Sequence, residues 1–234
     1  MNKLLSIIFL LITLQSCKKE DKKIIPQVET GPYSENTFTR NGLTLNWQSN
    51  TYFSLENKKR LVETFFSVYA PIFNYFNPSV RKDVTFKIDG TYTGVAYANF
   101  QTGLVIFGAA YMTANAEDID VVTHELTHIA QAYPSYNPAW LVEGIADFSR
   151  YKFGINNTAA NWTLPAVTAS QNYDNSYRIT GRFLVWIDTK VKLGAPKELD
   201  LALRNATYSE ATWKAITGKT VQELWTMYAL NPNL

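Results

Sequence analysis

The sequence predicts an α+β fold: an N-terminal mixed sheet with helices, followed by a mostly helical C-terminal half. Three observations carry this. Short alternating runs between Phe38 and Phe107 read as strands, and Leu61 to Phe73 repeat apolar side chains at helical spacing. Beyond Asn115, helical spacing and cap signals recur without an alternating run. With 234 residues, 46% apolar and 14% aromatic, the chain is long enough for one full core, with room for two lobes around a cleft.

The elements follow in order. Phe38–Trp47 alternates around Asn41-Gly42, a hairpin signal. Ser54 can N-cap a long helix whose stripe is Leu61, Val62, Phe65, Phe66, Tyr69, Ile72 and Phe73, with Pro71 bending it. Strands are expected at Val84–Ile88, Gly94–Ala98 and Leu104–Phe107. A helix with Val122, Leu126, Ile129 and Ala130 is expected to start near Asn115, with Glu117 and Asp118 at its positive end. Asn137 as N-cap and Pro138 as first helical residue open the next helix, through Trp140 to about Tyr151. Phe183, Leu184, Ile187 and Val191 mark another. Thr220 to Glu223 form a capping box ahead of Val221, Leu224, Trp225 and Tyr228. Trp140, Trp186, Trp213 and Trp225 are expected in the core.

Residues 1–17 read as a lipoprotein signal peptide. Asn2-Lys3 precedes an apolar run, Leu4 to Leu14, too short for the roughly 20 residues of a bilayer span. Leu14-Gln15-Ser16-Cys17 resembles the lipobox of bacterial lipoproteins, in which the Cys is acylated. Cys17 is the only cysteine, so it has no internal disulfide partner. The expected location is extracytoplasmic, lipid-anchored to a bacterial (outer) membrane, with Lys19-Glu20-Asp21 resembling a surface-export tag. Residues 18–35 are polar, carry Pro26, Gly31 and Pro32, and read as a flexible tether; 36–234 form the folded domain. The net charge of +2 is matched by Lys18 to Lys23 alone, with four cations and two anions, and the near-neutral remainder argues against nucleic acid as a partner.

His124, Glu125 and His128 form an H-E-x-x-H pentapeptide that uses both histidines of the chain. On a helix, residues four apart share a face, so the two imidazoles can grip one zinc ion while Glu125 reaches water beside it. Catalytic zinc takes three protein ligands. With no further His and no nearby Cys, the third must be a carboxylate. Glu143 lies fifteen positions after His128, on the next predicted helix, with Asp147 four beyond it on the same face.

A helix with H-E-x-x-H followed by one with E-x-x-x-D resembles the gluzincin metallopeptidases. The resemblance implies a thermolysin-like (zincin) catalytic domain with the active-site cleft between its halves. It makes His124, His128 and Glu143 the metal ligands of one catalytic Zn2+. It makes Glu125 the general base and Asp147 the residue that orients a ligand histidine, here His124. Some gluzincins use a His to stabilise the oxyanion. None remains here, so a Tyr or Arg must serve: Tyr177, with Arg178 and Arg182 behind it and Tyr173 its nearest competitor. An edge strand at Gly94–Phe100 is expected to pair with the substrate backbone.

The runs VVTHELTH (121–128), WLVEGIADF (140–148), YRITGRFLVW (177–186) and GKTVQELW (218–225) look like the basic secretory protein family of plants and bacteria, regarded as zinc peptidases. The likeness runs discontinuously from about Thr51 to Tyr228. The chain departs from it at Gly181, where the family more often has Ala. The expected partner is a peptide or protein substrate. The alternative is a catalytically silent peptidase-fold binding or adhesion lipoprotein, which the intact set of His, His, Glu and base argues against. A third reading is a zinc hydrolase of another bond, such as a glycan-linked amide.

Overall fold

A computed structural model describes residues 33–234; the predicted signal segment, Cys17 and most of the predicted tether lie outside the described residues. The last residues of that tether touch the domain: Tyr33 donates its hydroxyl to Glu63 (2.6 Å) and Lys58 donates to the Glu35 carbonyl (2.5 Å).

The hairpin forms as expected. β1 (Thr37–Arg40) pairs antiparallel with β2 (Leu43–Ser49), and the turn between them sets Asn41 and Gly42 at φ of 51° and 76°, the left-handed region that Asn and Gly tolerate. Ser54 caps α1 (Leu55–Phe76) by accepting from the Asn57 amide at 3.2 Å, and Pro71 sits inside the helix. β3 (Asp83–Asp89) then runs parallel to β2, so α1 is the crossover that lies on the sheet. Its apolar stripe meets the sheet where Phe65 packs edge-on to Phe86 at 5.7 Å.

β4 (Ala96–Asn99) and β5 (Leu104–Gly108) complete a five-stranded mixed sheet in the order β1-β2-β3-β5-β4. β5 is parallel to β3, and β4 runs antiparallel to β5 as an edge strand. The fourth strand thus begins two residues later than the alternation predicts. Gly94 and Val95 remain outside it, with the Val95 carbonyl accepting from the Gly108 amide.

The motif helix is shorter than expected. A six-residue helix, α2 (Ala109–Ala114), ends at Asn115, and α3 (Val121–Gln131) begins only after Asp120. Glu117 and Asp118 do not sit at a helix start. Arg60 takes Glu117 (2.5 Å), while Arg150 and Tyr111 take Asp118. These cations come from distant parts of the chain, and their ion pairs fix the two carboxylates in the connection. The next helix, α4 (Ala139–Phe153), starts one residue later than expected. Pro138 is its N-cap, in an extended conformation (ψ 126°), and Asn137 lies outside it.

α5 (Tyr177–Lys190) begins six residues before Phe183. α6 (Ala195–Arg204) and α7 (Glu210–Thr217) were not anticipated; α8 (Val221–Leu230) has the expected capping box. The described residues thus form an α+β fold with eight helices, none of them long and apolar enough to cross a membrane. Trp186, Trp213 and Trp225 are buried, and Trp140 packs against the core from the side.

Two contacts position the centre. α3 and α4 are joined at their buried faces by the Thr127 hydroxyl, which lies 2.6 Å from Ser149 Oγ. α4 and α5 approach closely because Gly144 and Gly181 carry no side chain. A Cβ on Gly144 would lie 2.2 Å from Thr180 Cγ2, and one on Gly181 would lie 3.0 Å from Asp147 Cβ.

Candidate metal centre

α3 presents His124, Glu125 and His128 to a cleft of about 1230 Å³; α4 adds Glu143 and Asp147, and the N-terminus of α5 adds Tyr177 and Arg178. Residues Val95 to Ala98 of the sheet edge, beside α3, also line the cleft.

The helical spacing does what it promises. His124 Nε2 and His128 Nε2 lie 3.1 Å apart, with Glu143 Oε2 at 3.1 Å from the first and 3.7 Å from the second. Donors at about 2.0–2.1 Å from a tetrahedral ion lie about 3.3–3.4 Å from one another. The triangle therefore has the size and the N/N/O chemistry of a zinc site. His124, His128 and Glu143 form a group that can hold a metal ion.

Behind the triangle, Asp147 Oδ1 lies 2.7 Å from His124 Nδ1, which leaves Nε2 for the triangle. Burial lowers the His124 pKa, but the Asp147 and Glu143 hydrogen bonds outweigh it and raise the pKa to about 10. Burial pushes Glu143 up, and the two imidazoles more than reverse that, bringing it to about 2. The cluster recruits positive charge.

Glu125 is 5% exposed, and burial raises its pKa. Its Oε2 is buried and has no hydrogen-bond partner among the described residues. A bare buried carboxylate oxygen is costly in a structural role. Beside two imidazoles and facing a cleft, it is placed to accept a proton.

Tyr177 lies at the mouth with its ring stacked on His124, centroids 6.2 Å apart and planes within 16°. Ser176 and Tyr177 have φ of 67° and 44°, so a left-handed backbone aims this half-exposed ring back over the imidazole. Arg178 lines the cleft; Arg182 does not, because its guanidinium reaches the Pro232 carbonyl (3.0 Å). Tyr173 is also excluded, packed edge-on to Trp140 at 5.2 Å.

Reading the sequence missed Gln131, whose Oε1 lies 2.7 Å from His128 Nδ1. Its signal was present, three residues after His128 on the same helix face. Tyr97, on the edge strand, was also missed and carries no such signal.

A profile of the family described as BSP, peptidase of plants and bacteria, matches residues 48–228. The chain belongs to this peptidase family. The matched span begins within β2 and ends within α8, so it takes in every residue of the triangle and the cleft. No curated protein matches the chain. Among solved structures, the chain is similar to a two-domain M1 zinc metallopeptidase mutant bound to L-tryptophan. The TM-score is 0.49 and the identity 14%, over 86% of this chain and 51% of that one. This chain therefore spans about half the length of that structure.

Proposed function

We propose that this chain is a zinc-dependent metallopeptidase that hydrolyses peptide bonds, with His124, His128 and Glu143 as metal ligands and Glu125 as general base. The observation that carries the reading is the His124–His128–Glu143 triangle beside the unpartnered Glu125 oxygen. A zincin-type catalytic domain is part of the proposal, supported by an edge strand that packs beside the motif helix and lines the same cleft.

His124, His128 and Glu143 would hold the zinc, which when bound would supply Lewis-acid polarisation of a carbonyl and a water whose pKa is lowered from about 15.7 toward 7. The remaining work belongs to the chain. Glu125 takes the proton of the attacking water and delivers it to the departing amine, for which a carboxylate with a raised pKa is suited. Asp147 holds the His124 ring in the tautomer that points Nε2 inward. Tyr177 supplies a hydroxyl donor near the carbonyl oxygen as charge builds on it. The free edge of β4 offers backbone N–H and C=O groups to an extended peptide, giving affinity with little side-chain preference.

Replacing Glu125 by Gln tests this. The variant is expected to retain zinc and to lose about 10²–10⁴-fold in kcat on peptide substrates. Wild-type turnover in that variant would remove Glu125 from the reaction.

A further inference from the structure

The two imidazoles of the triangle are supported from behind by different groups. His124 has a carboxylate on Nδ1, whereas His128 has the amide oxygen of Gln131 at 2.7 Å. Gln131 is 2% exposed, and its amide nitrogen donates to the Val142 carbonyl at 2.9 Å. That second bond settles the first. A carbonyl can only accept, so the Gln131 atom facing Val142 is the NH2 and the one facing His128 is the oxygen. An amide oxygen also only accepts. His128 Nδ1 therefore carries the hydrogen, and Nε2 keeps its lone pair toward His124 and Glu143.

The chain makes this arrangement specific. Gln131 is the last residue of α3, and Ala132 turns the backbone left-handed directly after it (φ 44°). Val142 is the residue before Glu143 on α4. One buried side chain thus sets the ring angle of one donor and ties it to the helix segment that carries another. It does so without charge. Glu125, Glu143 and Asp147 already bring three carboxyl groups to the centre, and a neutral amide orients His128 without adding a fourth.

We propose that Gln131 is a positioning residue of the metal centre, fixing the His128 tautomer and locking the imidazole to the α4 backbone beside Glu143. The proposal rests on the metallopeptidase reading above. It predicts that a side chain at 131 matters through what it offers Nδ1, and not through the space it fills.

The test uses the full chain purified in detergent, as wild type, Gln131→Met and Gln131→Glu. Zinc affinity is measured by chelator competition, the visible absorption of the cobalt-loaded protein reports ligand geometry, and metal-free melting reports the fold. Met fills a similar volume with no acceptor. It is expected to bind zinc 10–100-fold more weakly and to alter the cobalt spectrum, while the metal-free chain still melts cooperatively, at a lower temperature for the lost bond to Val142. Glu restores the acceptor at the same reach but loses the donor to Val142 and adds a charge, so it is expected to bind zinc more weakly than wild type by less than tenfold. Zinc affinity of Gln131→Met within twofold of wild type overturns the proposal. So does a folded Gln131→Glu chain that binds zinc tenfold or more weakly than wild type, a comparison that stands even if the Met variant does not fold. A wild-type chain that binds no zinc removes the metallopeptidase reading itself, which separates the two failures.

Discussion

Single residues decide the chemistry here through the lone pairs they leave available. Asp147 and Gln131 each occupy the outer nitrogen of one imidazole, so both inner nitrogens converge on Glu143. Glu125 alone among the cleft carboxylates keeps a bare buried oxygen. Tyr177 is held over His124 by a backbone that costs roughly 1–3 kcal/mol where non-glycine residues are left-handed. Tyr177→Phe keeps the ring on His124 and removes only the hydroxyl. It is expected to lower kcat by about 10²-fold with KM little changed, as for the loss of one oxyanion donor. Steady-state kinetics showing an unaltered kcat would pass the donor role to Arg178 or Tyr97. His124, Glu125 and His128 were legible because ligand spacing on a helix is fixed by its geometry, and Glu143 because no other ligand type was left. Gln131 had only its spacing from His128 as a signal, which becomes distinctive once its partner Val142 on another helix is known.

Elements hold these residues in place through close packing that the sequence shows only in part. Gly144 and Gly181 let α4 and α5 approach at the level of Asp147. The two glycines differ in what they tolerate. A methyl at 144 meets Thr180 at 2.2 and 2.7 Å, which no small adjustment relieves, whereas one at 181 meets Asp147 and Phe148 atoms at 3.0–3.3 Å. Gly144→Ala is expected to destabilise the fold by about 1–3 kcal/mol. For Gly181→Ala, the roughly 1 kcal/mol gain in helix propensity offsets milder crowding and leaves stability near wild type. Thermal melts of the two variants check this; equal losses would mean that the helix contact is not what these glycines serve. The long α1, the hairpin and α8 were legible from local caps and turns. The start of α3 was not, because Glu117 and Asp118 look like helix-dipole partners until Arg60 and Arg150 claim them. α7 is short, with Trp213 its only buried residue, so its periodicity is faint, whereas α6 repeats Ala195, Leu199 and Leu203 at helical spacing and was overlooked.

At the scale of the whole molecule, the edge of the mixed sheet packs beside α3, and together with α4 and α5 they line one cleft. The donors come from two helices, and each imidazole is braced from behind by a neighbour. Binding at such a centre stabilises the folded state by mass action, about 4 kcal/mol at a thousandfold excess over Kd. The most direct test is elemental analysis of the purified full chain, wild type and Glu143→Ala, after zinc is offered and excess removed. One zinc per wild-type chain is expected, lost to chelator with a fall in Tm that added zinc reverses, and well under one per Glu143→Ala chain. A wild-type chain that takes up no zinc, or a Glu143→Ala chain that holds it as firmly as wild type, would contradict the account.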